Sequence, residues 1–303
     1  MLFYFTKEIG GNSMILLENA KLQVQDHLAK GVVECFNMTS EVFNALTFEE
    51  VGALVYKYNQ VDDLPTVGYR SINAGYSEST AIVNQCVEEL CIFGGDADVD
   101  FQLTLGQNIN DLRAIQTELK AKATALQFEK DFFKGTGTDK ALKGLDARLK
   151  EGIAGTEVKG TITGLKANAE TELRTVYELM SKVVQPTHLF MSATKHMDFS
   201  LMLHNLGFNL HNDKDEFGRP AQYFNGCKIC VVADGLIPEN KIYCVSFKKD
   251  NLCALTNGGM QVIDLGMLDS KPVYRTRVDM SIGIATKHPK CFAVLNTAPT
   301  RSK

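Results

Sequence analysis

Hydrophobic positions recur at helical spacing in two long parts of the chain. Residues 14–60 predict a helical region in which Ser40 caps the segment that follows it. Pro65 ends that region, because proline disfavours helical backbone in the residue before it. Apolar residues then recur every three or four positions over 105–133, which predicts an amphipathic helix of about 40 Å. A helix of that length can brace an extended, flat subunit as well as a compact one.

A strand-like pattern lies between these two regions. Residues 66–72 and 80–87 contain many strand-forming side chains and are joined by 73–78, so they predict a long hairpin. The hairpin carries many polar and few large apolar side chains, and an isolated hairpin is marginal in water. We therefore expect it to pack on something else, such as another subunit. Residues 94–100 (GGDADVD) predict a solvated turn between the hairpin and the long helix.

The second half of the chain combines an α/β unit with long strands. The pattern predicts an amphipathic helix at about 169–184, a short strand at 188–191 and then a helix capped by Ser192. From residue 226 onward the chain is mostly β, with turns at 234–235 and 257–259. The candidate strands of this part are 227–233, 241–247, 252–255, 260–265 and 273–285. The mixture predicts an α+β fold.

Composition excludes several classes of protein. The 303 residues are 45% hydrophobic and 22% charged, which is ordinary for a soluble globular chain. A formal net charge of −4 argues against a protein that grips nucleic acid, because such a protein needs cations to displace phosphate counterions. No apolar run approaches the roughly 18 residues of a membrane span. The eight cysteines lie mostly among apolar residues, as buried free thiols do, which indicates synthesis in a reducing compartment.

Candidate chemical motifs in the sequence are weak. Cys227 and Cys230 form a single CxxC motif in a predicted strand, where positions i and i+3 point to opposite faces. The histidines lack the HExxH spacing, and no GxSxG, P-loop or helix-opening GxGxxG motif is present. We therefore expect no catalytic, metal-binding or cofactor-binding residues. An enzyme that uses Cys and His residues stays a distant alternative, because sites assemble in space.

The order of the elements carries more information than any single motif. An amino-terminal arm, a polar hairpin, a long helix, a Gly-rich segment, an α/β unit and long closing strands follow one another. This order resembles the major capsid proteins of tailed bacteriophages, whose architecture, the Johnson fold, recurs in encapsulins. The likeness is to one phage capsid subfamily and covers nearly the whole chain. The segments that carry it are 64–70, 78–80, 88–100, 132–138, 143–145, 223–226 and 287–293.

The resemblance implies a division of the chain into five regions. These are an amino-terminal arm and helix at 1–63, an E-loop hairpin at 64–92, a peripheral domain at 93–164 with its spine helix at 105–133, an axial domain at 165–260, and closing strands of the peripheral domain at 261–303. The E-loop is expected to lie over a neighbouring subunit. Its implied subunit-interface residues are Thr66, Tyr69, Arg70, Tyr76, Glu78, Glu88 and Glu89. The turn that contains Leu268, Asp269 and Lys271 is expected at the local three-fold contacts.

The same resemblance implies a structural protein with no catalytic role. It predicts self-assembly through pentamers and hexamers into an icosahedral shell that encloses double-stranded DNA without sequence-specific binding. Because the E-loop begins at residue 64, a separate scaffolding protein, or none, is implied, together with a portal and, in some relatives, a decoration protein. The expected location is the virion, after assembly in the cytoplasm of a bacterial host. The nearer alternative is an encapsulin-type shell that holds cargo protein.

Overall fold

A seven-stranded sheet and a four-stranded sheet form the body of the protein together with the helices that pack on them, and a two-stranded hairpin leaves this body. The computed structural model describes residues 31–32, 39–63, 65–104, 112–138, 140–208, 210–214 and 220–297. No helix in these ranges is long and apolar enough to cross a membrane.

The described helices are α1 Glu41–Ala45, α2 Phe101–Thr104, α3 Leu112–Lys134, α4 Leu145–Lys150, α5 Ala169–Ser181 and α6 Ala193–Asn205. The described strands are β1 Phe48–Glu50, β2 Val55–Asp63, β3 Ile82–Glu89, β4 Cys91–Asp100, β5 Thr156–Gly160, β6 His188–Ser192, β7 His211–Lys214, β8 Pro220–Phe224, β9 Cys227–Val232, β10 Lys241–Val245, β11 Leu252–Met267, β12 Val273–Thr286 and β13 Phe292–Thr297.

The seven-stranded sheet has the order β5-β13-β10-β6-β9-β8-β7 and is covered on both faces. Alternate residues of its central strands belong to two different hydrophobic clusters, one on each face of the sheet. Successive side chains of a strand point to opposite faces. Leu189 and Cys227 pack with α5 and α6, whereas Phe190 and Cys230 pack with α3. The two thiols of the CxxC motif therefore lie on opposite faces of the sheet, as the spacing predicted.

The four-stranded sheet has the order β1-β11-β12-β4 and shares the helix α3 with the larger sheet. Phe128 of α3 meets Phe93 of β4 at 6.4 Å between ring centroids, and Phe133 meets Phe190 of β6 at 5.6 Å. One continuous core therefore joins both sheets through a single helix. The long helix was predicted at 105–133. It is confirmed over 112–133, while residues 105–111 lie outside the described residues.

Several other predicted elements are confirmed. Helix α5, strand β6 and helix α6 lie where the amphipathic pattern put them, and the Ser192 hydroxyl caps α6 by accepting the backbone N–H of Lys195. Gly207 ends that helix with φ +76°, the left-handed conformation that glycine adopts without strain. Strands β9, β10 and β12 also match their predicted positions within two residues.

The helical prediction for 14–60 is wrong beyond Ala45. Ser40 does cap α1, accepting the backbone N–H of Phe43 at 3.1 Å, but β1 and β2 follow that helix. In β2, Tyr56 and Tyr58 are separated by two positions, so both lie on one face of a strand. Aromatic and β-branched residues suit a pleated, half-buried surface, and here that preference overrides the approximate helical spacing.

The predicted strand at 66–72 is also wrong. Strand β3 pairs antiparallel with β2, which precedes that segment, and residues 65–81 connect the two without regular structure. Local bonds such as Ser79 Oγ to the carbonyl of Thr66, at 2.9 Å, organise this connection. The second predicted strand, at 80–87, is confirmed as β3 with a shift of two residues.

Residues 94–100, predicted as a solvated turn, belong to strand β4, which pairs with β12 over ten positions. Asp96 lies opposite Arg277 and Asp98 opposite Arg275, and each pair is joined by two hydrogen bonds of 2.6–2.9 Å. These hydrogen bonds lower the pKa of both carboxyl groups. The acidic residues therefore stabilise a strand through partners that lie far away in the sequence.

The predicted turn at 257–259 is a bulge within a single strand. The register between β11 and β12 shifts between Thr256 and Met260, and Gly258 and Gly259 have φ of +75° and +67°. Both halves of β11 pair with the same partner, β12, so the chain bends at the glycines without reversing direction. The two strands predicted at 252–255 and 260–265 are thus one.

A buried carboxyl group on α3 makes the stability of the fold depend on pH. Glu129 is 3% exposed and faces Ser40 and Val42 of α1. Burial raises its pKa from the usual 4.5 to about 7, the negative charge of Glu41 adds to that, and hydrogen bonds from Ser40 and Val42 oppose it. At pH values between these two pKa values, the carboxyl group of Glu129 is ionised in the unfolded chain and protonated in the folded chain. Stability is therefore expected to fall as pH rises from 4.5 to 7 and to level off above.

We expect Glu129→Gln to remove this dependence, because the amide carries no charge at any of these pH values. The difference in unfolding free energy between pH 5 and pH 8 should shrink by about 3 kcal/mol relative to the unmodified protein. Urea unfolding at both pH values measures it. Glu118→Gln is the matched control, since Glu118 is exposed on the same helix and pairs with Lys122. An equal pH dependence in the two variants would contradict the prediction.

Candidate interaction surface

The hairpin of β2 and β3, residues 55–89, is called the arm, and residues 65–81 are its tip. Every residue of the tip is exposed, and so are residues 82–85. Val67 is 98% exposed and Ile72 93%, and the rings of Tyr69 and Tyr76 are exposed as well. Large apolar side chains grouped on one exposed segment mark an interaction site more often than a neutral surface.

The two faces of the arm differ in exposure. On the outer face the side chains of Val55, Val83 and Val87 are about half exposed. On the inner face Tyr58 and Gln60 are buried, and Tyr56, Cys86 and Glu88 are partly buried. The period of two in burial along both strands shows that one face of the arm lies on the body and the other faces outward.

The inner face rests on the side of the four-stranded sheet that α3 leaves uncovered. Tyr58 and Leu90 pack with Cys253, Leu255 and Ala285 in a small cluster separate from the main core. The cluster holds only the base of the arm, because the tip and residues 82–85 are exposed. Within the described residues, the arm is thus packed on the body at its base and exposed at its other end.

A buried ion pair joins the base of the arm to helix α4. Arg148 is 1% exposed, and its Nη1 and Nη2 donate to Oε1 and Oε2 of Glu88 at 2.6 and 2.9 Å. The hydroxyl of Tyr58 donates to the same carboxylate at 3.3 Å and accepts the backbone N–H of Thr286. Burial is the largest single effect on Arg148 and opposes its charge. The hydrogen bonds and the negative charge of Glu88, with smaller contributions from Tyr58 and Cys291, together outweigh burial and raise the pKa of Arg148. Burial also raises the pKa of Tyr58 to about 12.

A second ionic group lies beside the first. Lys287 donates to Oε2 of Glu49 at 2.6 Å, and the hydroxyl of Tyr56 donates to Oε1 of Glu49 at 3.3 Å. The ammonium of Lys287 also lies 5.7 Å from the centre of the Tyr56 ring. The hydrogen bond from Lys287 lowers the pKa of Glu49. Tyr56 and Tyr58 stack at 6.0 Å between centroids, so the two groups are neighbours under the arm.

The residues implied as E-loop contacts lie in three places. Thr66, Tyr69, Arg70, Tyr76 and Glu78 lie on the exposed tip, where the Arg70 guanidinium is 5.3 Å from the centre of the Tyr76 ring. Glu89 is exposed on the outer face of the arm. Glu88 lies on the inner face and its carboxylate is used within the chain, by Arg148 and Tyr58. Residue 64, where the predicted loop begins, lies outside the described residues, and the arm already begins at Val55.

The turn implied at the three-fold contacts joins β11 to β12. Asp269 and Lys271 are exposed there, and Leu268 is partly buried. The backbone N–H of Leu268 donates to the carbonyl of Val273 at 3.0 Å, which closes the turn. The turn is confirmed as a structural element, and its place at a three-fold contact stays a prediction.

Sequence reasoning missed Arg148 and Lys287, the two cations that hold the base of the arm. Arg148 lies in the segment LDARLK, whose alternation of charged and apolar residues is typical of a surface helix. Its partner Glu88 lies 60 residues away, and Lys287 and Glu49 are 238 residues apart. No local signal distinguishes these residues from solvated charges, so only the tertiary structure identifies them.

The surroundings of the described cysteine and histidine side chains bear on metal binding and reactivity. Within them, no group of three or more His, Cys, Asp and Glu side chains is arranged to hold a metal ion. Burial raises the pKa of Cys227 and Cys253 to about 11 and that of Cys291 to about 12, so these thiols are poor nucleophiles. Burial also lowers the pKa of His188 to about 4, which leaves its ring neutral near pH 7.

Comparison with known proteins gives a match in structure alone. No protein-family model and no curated protein matches the sequence. The holo-SrpI encapsulin of Synechococcus elongatus PCC 7942 is similar, with a TM-score of 0.64 and 16% identity over 86% of this chain and 90% of that one. The capsid of the native GTA particle has a TM-score of 0.63 and 15% identity over 86% of this chain and 91% of that one. Mycobacterium phage Bobi has a TM-score of 0.62 and 13% identity, also over 86% and 91%.

These similarities define the class of fold. The chain has the Johnson fold, the α+β architecture of phage capsid subunits and encapsulins, as the order of the sequence elements predicted. The division into axial, peripheral and E-loop regions is compatible with this fold and stays a prediction. The exposed arm is the feature of the structure that indicates a function.

Proposed function

We propose that the protein is a structural subunit of a self-assembling shell, the major capsid protein of a tailed bacteriophage. One observation carries the proposal: among the described residues, the tip of the arm holds four large apolar side chains that are exposed. The fold similarity to capsid and encapsulin subunits supports the same conclusion independently. The protein acts through assembly, and no catalytic step is part of its role.

Burial of the tip against a neighbour drives assembly. Each large apolar side chain that leaves water contributes about 1.5–3 kcal/mol, and four such residues are exposed on the tip. The arm and the surface that receives it are different parts of the same chain, so each contact is heterologous. Heterologous contacts form rings when the rotation between subunits closes, and pentamers and hexamers are such rings. Rings of both kinds together build a closed shell.

The net charge and the phage neighbours support double-stranded DNA as the content of the shell. A chain with a net charge of −4 lacks the excess of cations that holds DNA tightly, which supports a wall that confines double-stranded DNA without gripping it. A portal, a separate scaffolding protein and, in some relatives, a decoration protein complete this proposal, and the virion is its location. The capsid of the GTA particle and several phage structures are among the similar folds.

An encapsulin-type shell that holds cargo protein is the second candidate. One observation favours it, namely the similarity to the SrpI encapsulin over the same share of the chain. The genes beside the coding gene discriminate between the two candidates. Portal and terminase genes support the phage capsid, and a gene for a cargo enzyme supports the encapsulin.

Electron microscopy and size-exclusion chromatography of the purified protein test assembly directly. We expect shells, or capsomers that close into shells when a scaffolding protein is present. Shells require the arm to be buried between subunits, so residues 65–81 should be protected from proteolysis in particles and cleaved in free subunits. A protein that stays monomeric at high concentration, with and without scaffold, would disprove the proposed function.

A further inference from the structure

Both ionic groups under the arm are built in the same way. In each, a tyrosine of β2 donates to a carboxylate, and that carboxylate is paired with a cation of the body. Tyr58 meets Glu88 and Arg148, and Tyr56 meets Glu49 and Lys287. The strand β3 contributes Glu88, so both strands of the arm are held at this place.

The guanidinium of Arg148 is itself fixed by the body. Its Nε donates to the carbonyl of Lys143 at 3.1 Å, and its Nη1 also reaches the hydroxyl of Thr286 at 3.4 Å. The remaining edge of the planar group presents two parallel donors to Glu88. A bidentate pair of this kind restricts the angle between its partners as well as their distance. A single hydrogen bond, or the point charge of a lysine, restricts the distance alone.

An angle set at the base is amplified at the tip. The strand from Glu88 to Ile82 spans about 20 Å, at roughly 3.3 Å per residue. A tilt of about 10° at Glu88 therefore moves the far end of the strand by about 3–4 Å. Residues 82–85 and the tip are exposed, so the buried contacts between the arm and the described part of the body lie at its base.

We propose that these two groups form a clamp that sets the direction of the arm, with Arg148 as its main positioning residue. This inference rests on the proposed function, because the direction of the arm matters when a second copy receives it. The clamp decides where the tip meets the neighbour, and hence the angle between adjacent subunits. Subunits with a fixed angle close into shells of one diameter, and subunits with a variable angle do not.

Three variants and hydrogen–deuterium exchange test the clamp. Arg148→Lys keeps the positive charge and loses the bidentate pair of hydrogen bonds. The double variant Arg148→Met with Glu88→Gln removes both charges, which avoids leaving one buried charge without its partner. Glu89→Gln is the control, since Glu89 is the adjacent carboxylate on the outer face. In free subunits we expect backbone amides of 55–60 and 82–89 to exchange about tenfold faster in the first two variants, while β10 and β13 keep their rates.

Particle size is the second measurement. Micrographs should show particles of mixed diameter or open sheets for Arg148→Lys and for the double variant, and uniform shells for the unmodified protein. Glu151→Gln is the control for assembly, because it breaks an exposed pair with Lys143 near the same helix. The clamp is disproved if the arm exchanges at its normal rate in both variants, or if β10 and β13 accelerate as much as the arm. If the unmodified protein forms no shells, the proposed function fails, while the exchange rates of free subunits still decide on the clamp.

Discussion

Replacing residues 66–80 by a short Gly-Ser linker is expected to abolish shell formation and to leave the body folded. All residues of this segment are exposed, so their removal deletes no core contact. The pairing of β2 with β3, and the contacts of Glu88 with Arg148, remain. The free energy of unfolding should therefore change by less than about 1 kcal/mol. Urea unfolding of free subunits and electron microscopy of the assembled sample measure the two effects.

A second variant separates the chemistry of the tip from its length. Its four substitutions remove most of the apolar surface of the tip and keep the length of the loop. They are serine in place of Val67, Tyr69, Ile72 and Tyr76. We expect this variant to assemble only at much higher protein concentration. Each large apolar side chain contributes about 1.5–3 kcal/mol when it is buried against a neighbouring subunit, and serine does not. Alanine at Ser71 and Ser77 is the matched control, since these polar residues lie on the same tip. Normal shells from the linker variant would show that the tip is not the assembly surface.

A deletion that continues through residue 88 would be a poorer experiment. It would remove Glu88 and with it the partner of Arg148, and it would uncover the cluster around Ala285. Loss of an ion-pair partner in a buried site costs about 3–5 kcal/mol. A failure to assemble would then reflect damage to the body as well as loss of the tip.

Gly94→Ala is expected to destabilise the protein by about 3 kcal/mol, the upper end of the usual cost of forcing extra atoms into a packed site. A Cβ at this position would lie 2.1 Å from the carbonyl oxygen of Val278 and 2.9 Å from Cα of Asp279. Both atoms belong to the backbone of β12, so relief requires the two strands to move apart. That movement would weaken the pairing that also aligns Asp96 with Arg277.

The next residue provides the control for that substitution. A Cβ at Gly95 would meet only the far end of the Lys120 side chain, at 2.4 Å, and a flexible side chain can move aside. Gly95→Ala should therefore cost less than about 1 kcal/mol. Urea unfolding of both variants at one pH gives the comparison. Equal unfolding midpoints would mean that β4 and β12 separate more easily than the structure indicates.

The successful predictions concern elements whose signal is local. The stripe of apolar residues on α3 and on α5 repeats within each helix, and the capping serine of α6 lies next to the residues that it caps. Such patterns need no distant partner to be recognised. The order of these elements was also sufficient to indicate the Johnson fold.

The wrong predictions concern elements that depend on distant partners. The segment at 94–100 has the composition of a turn, and it becomes a strand because its backbone pairs with β12, where Arg275 and Arg277, about 180 positions later, also meet its aspartates. Strand β2 has an approximate helical spacing, and it becomes a strand because Tyr56 and Tyr58 find a surface on the four-stranded sheet. Tertiary contacts override a weak local preference in both places.

The sequence by itself determined the α+β class, the long helix of the body and the presence of a hairpin that cannot form a core alone. Its periodicity and the order of its elements contain that information, because helices and strands are amphipathic on the scale of a few residues. The tertiary structure decided how the hairpin is held. Arg148 and Lys287 look like ordinary surface charges in the sequence, and the fold buries Arg148 and brings both cations to the base of the arm. Burial and the choice of an ionic partner depend on the whole fold, so no local pattern reports them.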